Sequence, residues 1–160
     1  MVYMLGREHL AYGITLGITL TMVMEDINPV MMIGGTAIGS LIADIDNPKS
    51  TIGHLFPILS KLINKLFGHR KLFHDIAIIC PLGIFLIFKY AALNGIIIGY
   101  WSHLLLDSMT IQGIPCLLNK KNFHLLPPKL RFKSNSITAK IVTILLILLT
   151  FVLAFIYKTY

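Results

Sequence analysis

Hydrophobic and polar positions fall in long blocks along this chain, not in residue-by-residue alternation. Five apolar runs stand between polar connections: about Tyr3 to Met24, Pro29 to Ala43, His74 to Ala92, Leu93 to Met109 and Ile137 to Tyr157. Runs of this length without a period of two read as helices, and a full bilayer crossing takes about 20 residues. The first, third and fifth are long enough. The second and fourth are short, rich in glycine and end in acids, which suits packing inside a bundle, with a re-entrant pair as the alternative. A sixth element has a different pattern. From Leu55 to Phe67 the apolar positions are 55, 56, 58, 59, 62, 63, 66 and 67, while Ser60, Lys61, Asn64 and Lys65 occupy the remaining arc and Pro57 suits a first turn. This predicts an amphipathic helix lying in the membrane interface, a position compatible with packing onto the bundle.

Composition sets the class. The chain is 56% hydrophobic and 13% charged, with a mean hydropathy of +0.78, far from an ordinary soluble domain. The expectation is an all-α, polytopic membrane helical bundle of about five transmembrane helices, forming a single integral-membrane domain over residues 1–160. Glu25, Asp26 and Pro29 follow the first run without a small-residue cleavage pattern, so that run is not read as a cleaved signal. Cys80 and Cys116 form no CxxC and offer no metal-type spacing.

Charge gives this bundle a direction. With five crossings, the N-terminus, the 44–73 connection and the 111–136 connection share one side. Together with Lys140 they carry twelve of the fourteen basic residues, leaving Lys89 and Lys158 opposite. The positive-inside rule then places the N-terminus in the cytoplasm of an inner-membrane protein. The same charge suits anionic lipid headgroups.

Every residue equipped for chemistry lies at that cytoplasmic end. His9 begins the first run, Asp44 and Asp46 close the second, His69 and His74 precede the third, and His103 and Asp107 occupy the last turns of the fourth. Ionisable residues at membrane depth are functional candidates, and a His/Asp mixture suits a divalent metal. His103 and Asp107 stand four apart on one helical face. Glycines continue the same stripes: Gly13 and Gly17 after His9, Gly95 and Gly99 before His103, Gly35 and Gly39 before Asp44. Small residues at that spacing let helix backbones approach closely. Of the pair Asp44 and Asp46, Asp44 is expected as a ligand and Asp46 as a ligand or the general base. His54 and His124 have no partner spacing and are not expected at the site.

These blocks, in this order, resemble the YdjM-type family of bacterial inner-membrane proteins, described as metal-dependent hydrolases and also as LexA-binding. The resemblance covers most of the chain. It rests on His9 with Gly13, Ala43-Asp-Ile-Asp46, His69-Arg70 with His74, and Gly99-Tyr-Trp-Ser-His103-Leu-Leu-Leu-Asp107, followed by Thr110 and Gly113. Where the family carries a Gly-Ser and an acid before its last helix, this chain has Asn135-Ser136 and no acid. The resemblance implies one or two divalent ions, Zn²⁺ first and Mn²⁺ as the alternative, used for hydrolysis. The level of the cluster in the bilayer suits a lipid or lipid-linked phosphoester, with Arg70 and Arg131 as phosphate-binding candidates. Membrane lipids are the expected partners. No nucleic-acid recognition motif is visible. A small metal or proton transporter, or a non-catalytic membrane scaffold with a structural metal site, are the rival readings.

Overall fold

The computed structural model describes residues 6–68, 71–89, 93–117 and 121–159. Seven helices order them: α1 Gly6–Val23, α2 Pro29–Ile42, α3 Thr51–Leu55, α4 Pro57–Phe67, α5 Ile76–Lys89, α6 Asn94–Ser108 and α7 Ile137–Thr159. Short 3-10 turns at Ala43–Asp46 and Leu72–His74 lead out of α2 and into α5. Among the described residues there is no extended strand, only isolated bridges of Thr110 with Phe132 and Ile114 with Phe123. The fold is therefore all-helical, as the apolar blocks predicted.

Local caps set the helix starts. Asn28 accepts the Met31 amide at 3.1 Å ahead of Pro29, so α2 begins where an amide is already lost to proline. Ser50 caps α3 through the Gly53 amide, Asp75 caps α5 through Ala77, and Ser136 caps α7 through Ala139.

The centre of the bundle is built from α1, α2 and α6, and the glycine stripes are the reason. A Cβ at Gly39 would lie 2.0 Å from the Ile96 carbonyl oxygen, one at Gly99 2.2 Å from that of Thr36, and one at Gly17 2.4 Å from the Thr36 hydroxyl. One at Gly13 would lie 2.7 Å from the Ser40 side chain. Even a methyl group at 39 could be accommodated only by prising α2 from α6, since the obstacle is backbone. The polar residues this seam buries satisfy themselves locally: Thr15, Thr36 and Ser40 each donate a hydroxyl to a carbonyl one turn earlier.

Among the described residues two stretches are long and apolar enough to cross a membrane, Pro29–Asp46 and Ile137–Thr159, with Ile76–Leu86 as a shorter apolar helix. The order of lengths differs from the sequence expectation. The second run, expected to be short, reaches spanning length once the 3-10 turn is added to α2. In its described part, the first run is 18 residues with Arg7, Glu8 and His9 in its opening turn. The third run yields a 14-residue α5, about 21 Å long at 1.5 Å per residue; residues 90–92 of that run lie outside the described residues. α7 fully buries Ala139, Thr143 and Ala154, packs Val142, Leu146 and Ile147 in part against the bundle, and leaves most of its other apolar side chains exposed, as a lipid-facing helix does.

The amphipathic stretch is broken at Phe56 into α3 and α4. Ser60 and Asn64 meet the protein, while most of the apolar residues and both lysines of α4 stay exposed. Ser60 is fully buried and Asn64 donates to the Asp46 carbonyl at 2.7 Å, while Ile58 is 85% exposed and Leu66 64%. An apolar arc turned away from the protein, at the end of the bundle that holds the 43–46 turn, suits a helix resting in lipid.

Candidate metal centre

Four chain segments deliver the cluster. α1 brings His9, the 3-10 turn after α2 brings Asp44 and Asp46, the turn before α5 brings His74, and α6 brings His103 and Asp107. Their burial is nearly complete: His9, Asp46, His74, His103 and Asp107 are at most 1% exposed. Asp44, at 14%, is the one with contact to solvent.

The atoms that converge are electron-rich. His103 Nδ1 donates to the Ser40 carbonyl at 2.7 Å; a carbonyl only accepts, so in the neutral ring Nε2 carries the lone pair and faces the cluster. There it stands 3.3 Å from His74 Nε2, 3.7 Å from Asp44 Oδ1 and 3.6 Å from Asp107 Oδ2. His74 Nε2 lies 3.7 Å from Asp44 Oδ1 and 3.6 Å from Asp107 Oδ2. The His103 lone pair and two carboxylates at such spacing around His74 Nε2 repel one another unless a proton or a cation lies between them. Ligand atoms held about 2.0–2.1 Å from one tetrahedral zinc stand about 3.3–3.4 Å apart, close to these separations. The donor set fits a divalent ion.

Among the described residues two overlapping triads meet the requirement: Asp44, His74 and His103, and His9, His103 and Asp107. His103 is common to both. The carboxylate of Asp107 is divided between neighbours, with Oδ1 3.7 Å from His9 Nε2 and Oδ2 facing His74 and His103. A carboxylate so placed could bridge two ions. The His9 ring stacks on His103 with centroids 3.7 Å apart and planes at 15°. The i, i+4 spacing and the glycine stripes are thus brought to one point.

Asp46 lies beside His74. It belongs to neither triad; its Oδ2 lies 3.6 Å from Nδ1 of His74, the nitrogen turned away from the cluster. An acid behind a histidine orients the ring and strengthens it as a ligand. Asp75, beside His74, spends its carboxylate on the Ala77 and Leu117 amides at 2.9 Å each and is structural. His69 and Arg70 lie outside the described residues. Arg131 lines a separate cavity with Lys121 and His124. His54 is held by the Ser50 carbonyl and His124 by those of Asn122 and Ile111, away from both triads.

Two supports escaped the sequence. The Tyr100 hydroxyl donates to the Phe73 carbonyl, pinning the turn that carries His74. The Ser40 carbonyl sets the ring of His103. Tyr100 directly follows Gly99 on the seam, a hint to its inward position; a backbone carbonyl leaves no mark in a sequence.

The model of the family described as YdjM inner membrane protein matches residues 4–160. A Bacillus subtilis (strain 168) protein named Uncharacterized protein YvsG is 36% identical over 118 residues, which are 71% of this chain and 72% of that protein. Inner membrane protein YdjM of Escherichia coli (strain K12) is 38% identical over 85 residues, 48% of this chain and 43% of that protein. A Shigella flexneri protein of the same name aligns to the same extent. The chain therefore spans less than half the length of those two relatives. No solved structure matches it. The apolar helices and these relatives agree on a membrane protein whose buried His/Asp group could hold a metal ion, and the match over nearly the whole chain places it in the YdjM inner membrane protein family.

Proposed function

We propose that this chain is a metal-dependent hydrolase of the inner membrane acting on a lipid or lipid-linked phosphoester at the cytoplasmic face. In this reading the bundle crosses the bilayer five times with its N-terminus inside. The observation that carries the proposal is the pair of triads sharing His103, and the side expected from sequence to carry twelve of the fourteen basic residues supports it.

A divalent ion bound there supplies a Lewis acid for the scissile phosphoester and a water far more acidic than bulk water. The side chains divide the remaining work. His74, His103 and Asp107 form the closed floor, with His9 behind Asp107. Asp44, at the one edge open to solvent, stands where a reacting group must arrive. Asp46 holds His74 in its ligand orientation, a positioning role that replaces the base expected from sequence. Arg70 retains its place as a phosphate-binding candidate, on the strength of its sequence position next to His69. Against transport, the described residues of α1 beyond the cluster offer neutral hydroxyls such as that of Thr15, which is donated to backbone, and that of Thr19, whereas an ion pathway needs ionisable stations through the full depth.

Purified protein should hydrolyse a phospholipid phosphoester in mixed micelles, stop with chelator and resume with Zn²⁺ or Mn²⁺. Metal binding without turnover on any lipid phosphoester would favour the scaffold. Metal flux in sealed vesicles would favour the transporter. A reporter fused after Tyr160 should read as periplasmic; a cytoplasmic signal would break the five-crossing arrangement.

A further inference from the structure

The C-terminal third of the chain carries an electrostatic imbalance that the metal centre does not use. After Asp107 there is no acid at all, while Lys120, Lys121, Lys129, Arg131, Lys133, Lys140 and Lys158 follow. Part of this charge is gathered around a cavity of about 530 Å³ lined by Cys116, Lys121, Asn122, Phe123, His124 and Arg131. Arg131 is pinned by Nε donating to the Leu126 carbonyl at 2.9 Å, which leaves its other guanidinium N–H groups for an acceptor. Among the described residues no carboxylate forms an ion pair with Arg131 or Lys121. His124 forms a fixed wall, with a contact from each ring nitrogen to a carbonyl.

The cavity is fastened to the metal centre at two points. Leu117, next to Cys116, donates its amide to Asp75, the residue after His74. Leu125, next to His124, donates to the carbonyl of Ser108, the residue after Asp107. The amide and carbonyl of Ile114 pair with those of Phe123, and Ile111 donates to Phe132, so residues 111–117 and 121–132 fold together as a cap. A guanidinium and an ammonium lining one cavity, without a counter-charge among the described residues, match the oxygens of a phosphate group.

We propose that this cavity is a binding site for a phosphate-bearing anion, held beside the metal centre. Its use as a substrate subsite rests on the phosphoesterase reading above; the binding itself does not. Native mass spectrometry from detergent should show the wild-type protein retaining phosphatidylglycerol over phosphatidylcholine. Arg131→Gln and Lys121→Gln should each weaken that retention by about tenfold, and Arg131→Lys should fall between, having charge without the fork. Lys129→Gln removes the same charge from an exposed position outside the cavity and should change retention less than about twofold. Glycerol 1-phosphate identifies the source: displacement of the lipid at millimolar concentration marks a site for any phosphate monoester, and its failure to compete marks a lipid-headgroup site. Chelator-treated protein should keep the preference while losing turnover, so failure of the phosphoesterase reading would leave this result standing. Equal losses in Lys129→Gln and Arg131→Gln would overturn the proposal in favour of a diffuse basic field, as would a wild type with no preference. Should Arg131→Gln not fold, the exposed Lys121 decides.

Discussion

Replacing His103 with alanine should empty the metal centre more completely than any other single change. Its Nε2 is a member of both triads, so no arrangement of one ion or two survives its loss. Asp107→Asn should follow closely, because Asp107 offers one oxygen to His9 and the other to His74 and His103. Elemental analysis after purification in metal-replete medium should find both variants near background. His54→Ala and His124→Ala, whose rings contact carbonyls away from the cluster, should keep wild-type occupancy. A second readout separates metal loss from misfolding. An ion that binds only the folded state stabilises it by about 2.7 kcal/mol at a hundredfold excess over its Kd, so wild-type protein should melt lower after chelation. The two ligand variants should melt at one temperature with or without chelator. Wild-type protein free of transition metal under these conditions would remove the basis of the site.

The approach of His9, Asp44, His103 and Asp107 was legible because each sits at or beside a helix end and α1, α2 and α6 carry glycine at the same four-residue step, whereas His74, ahead of α5, has no such stripe. The seam of Gly13, Gly39 and Gly99 turns that step into close backbone approach, and the chemistry is carried along with it. Helix lengths were less legible. An apolar run does not reveal where a 3-10 turn adds to it, and so Ala43–Asp46 extends the second run to spanning length. The 55–67 pattern named a two-faced helix but not which face meets the protein. Asn64 points inward and donates to the carbonyl of Asp46, with Ser60 buried one turn before it, a contact that no periodicity encodes. The division of labour within Asp44-Ile-Asp46 was beyond the sequence for the same kind of reason: it depends on which nitrogen of His74 each carboxylate faces.

That division yields the sharpest test of the site. Asp44 Oδ1 lies 3.7 Å from Nε2 of both His74 and His103, whereas Asp46 Oδ2 lies 3.6 Å from Nδ1 of His74. The first carboxylate therefore touches the space an ion would occupy, and the second acts through a ring. Asp44→Asn should lose metal and turnover together, and excess metal should not restore activity. Asp46→Asn should bind the same number of ions with affinity lower by about 10–100-fold, the usual effect of removing an acid behind a histidine ligand. Its turnover should return toward wild type as metal is raised. Titration of each variant with Zn²⁺, following occupancy and hydrolysis in parallel, distinguishes three arrangements. If the two variants lose metal equally, both aspartates are direct ligands. If Asp46→Asn keeps full affinity yet stays inactive at saturating metal, Asp46 is the proton acceptor and its role behind His74 is wrong. Recovery by metal alone is the signature of a positioning residue, because the neutral asparagine weakens the hold on His74 without removing any group that touches the ion.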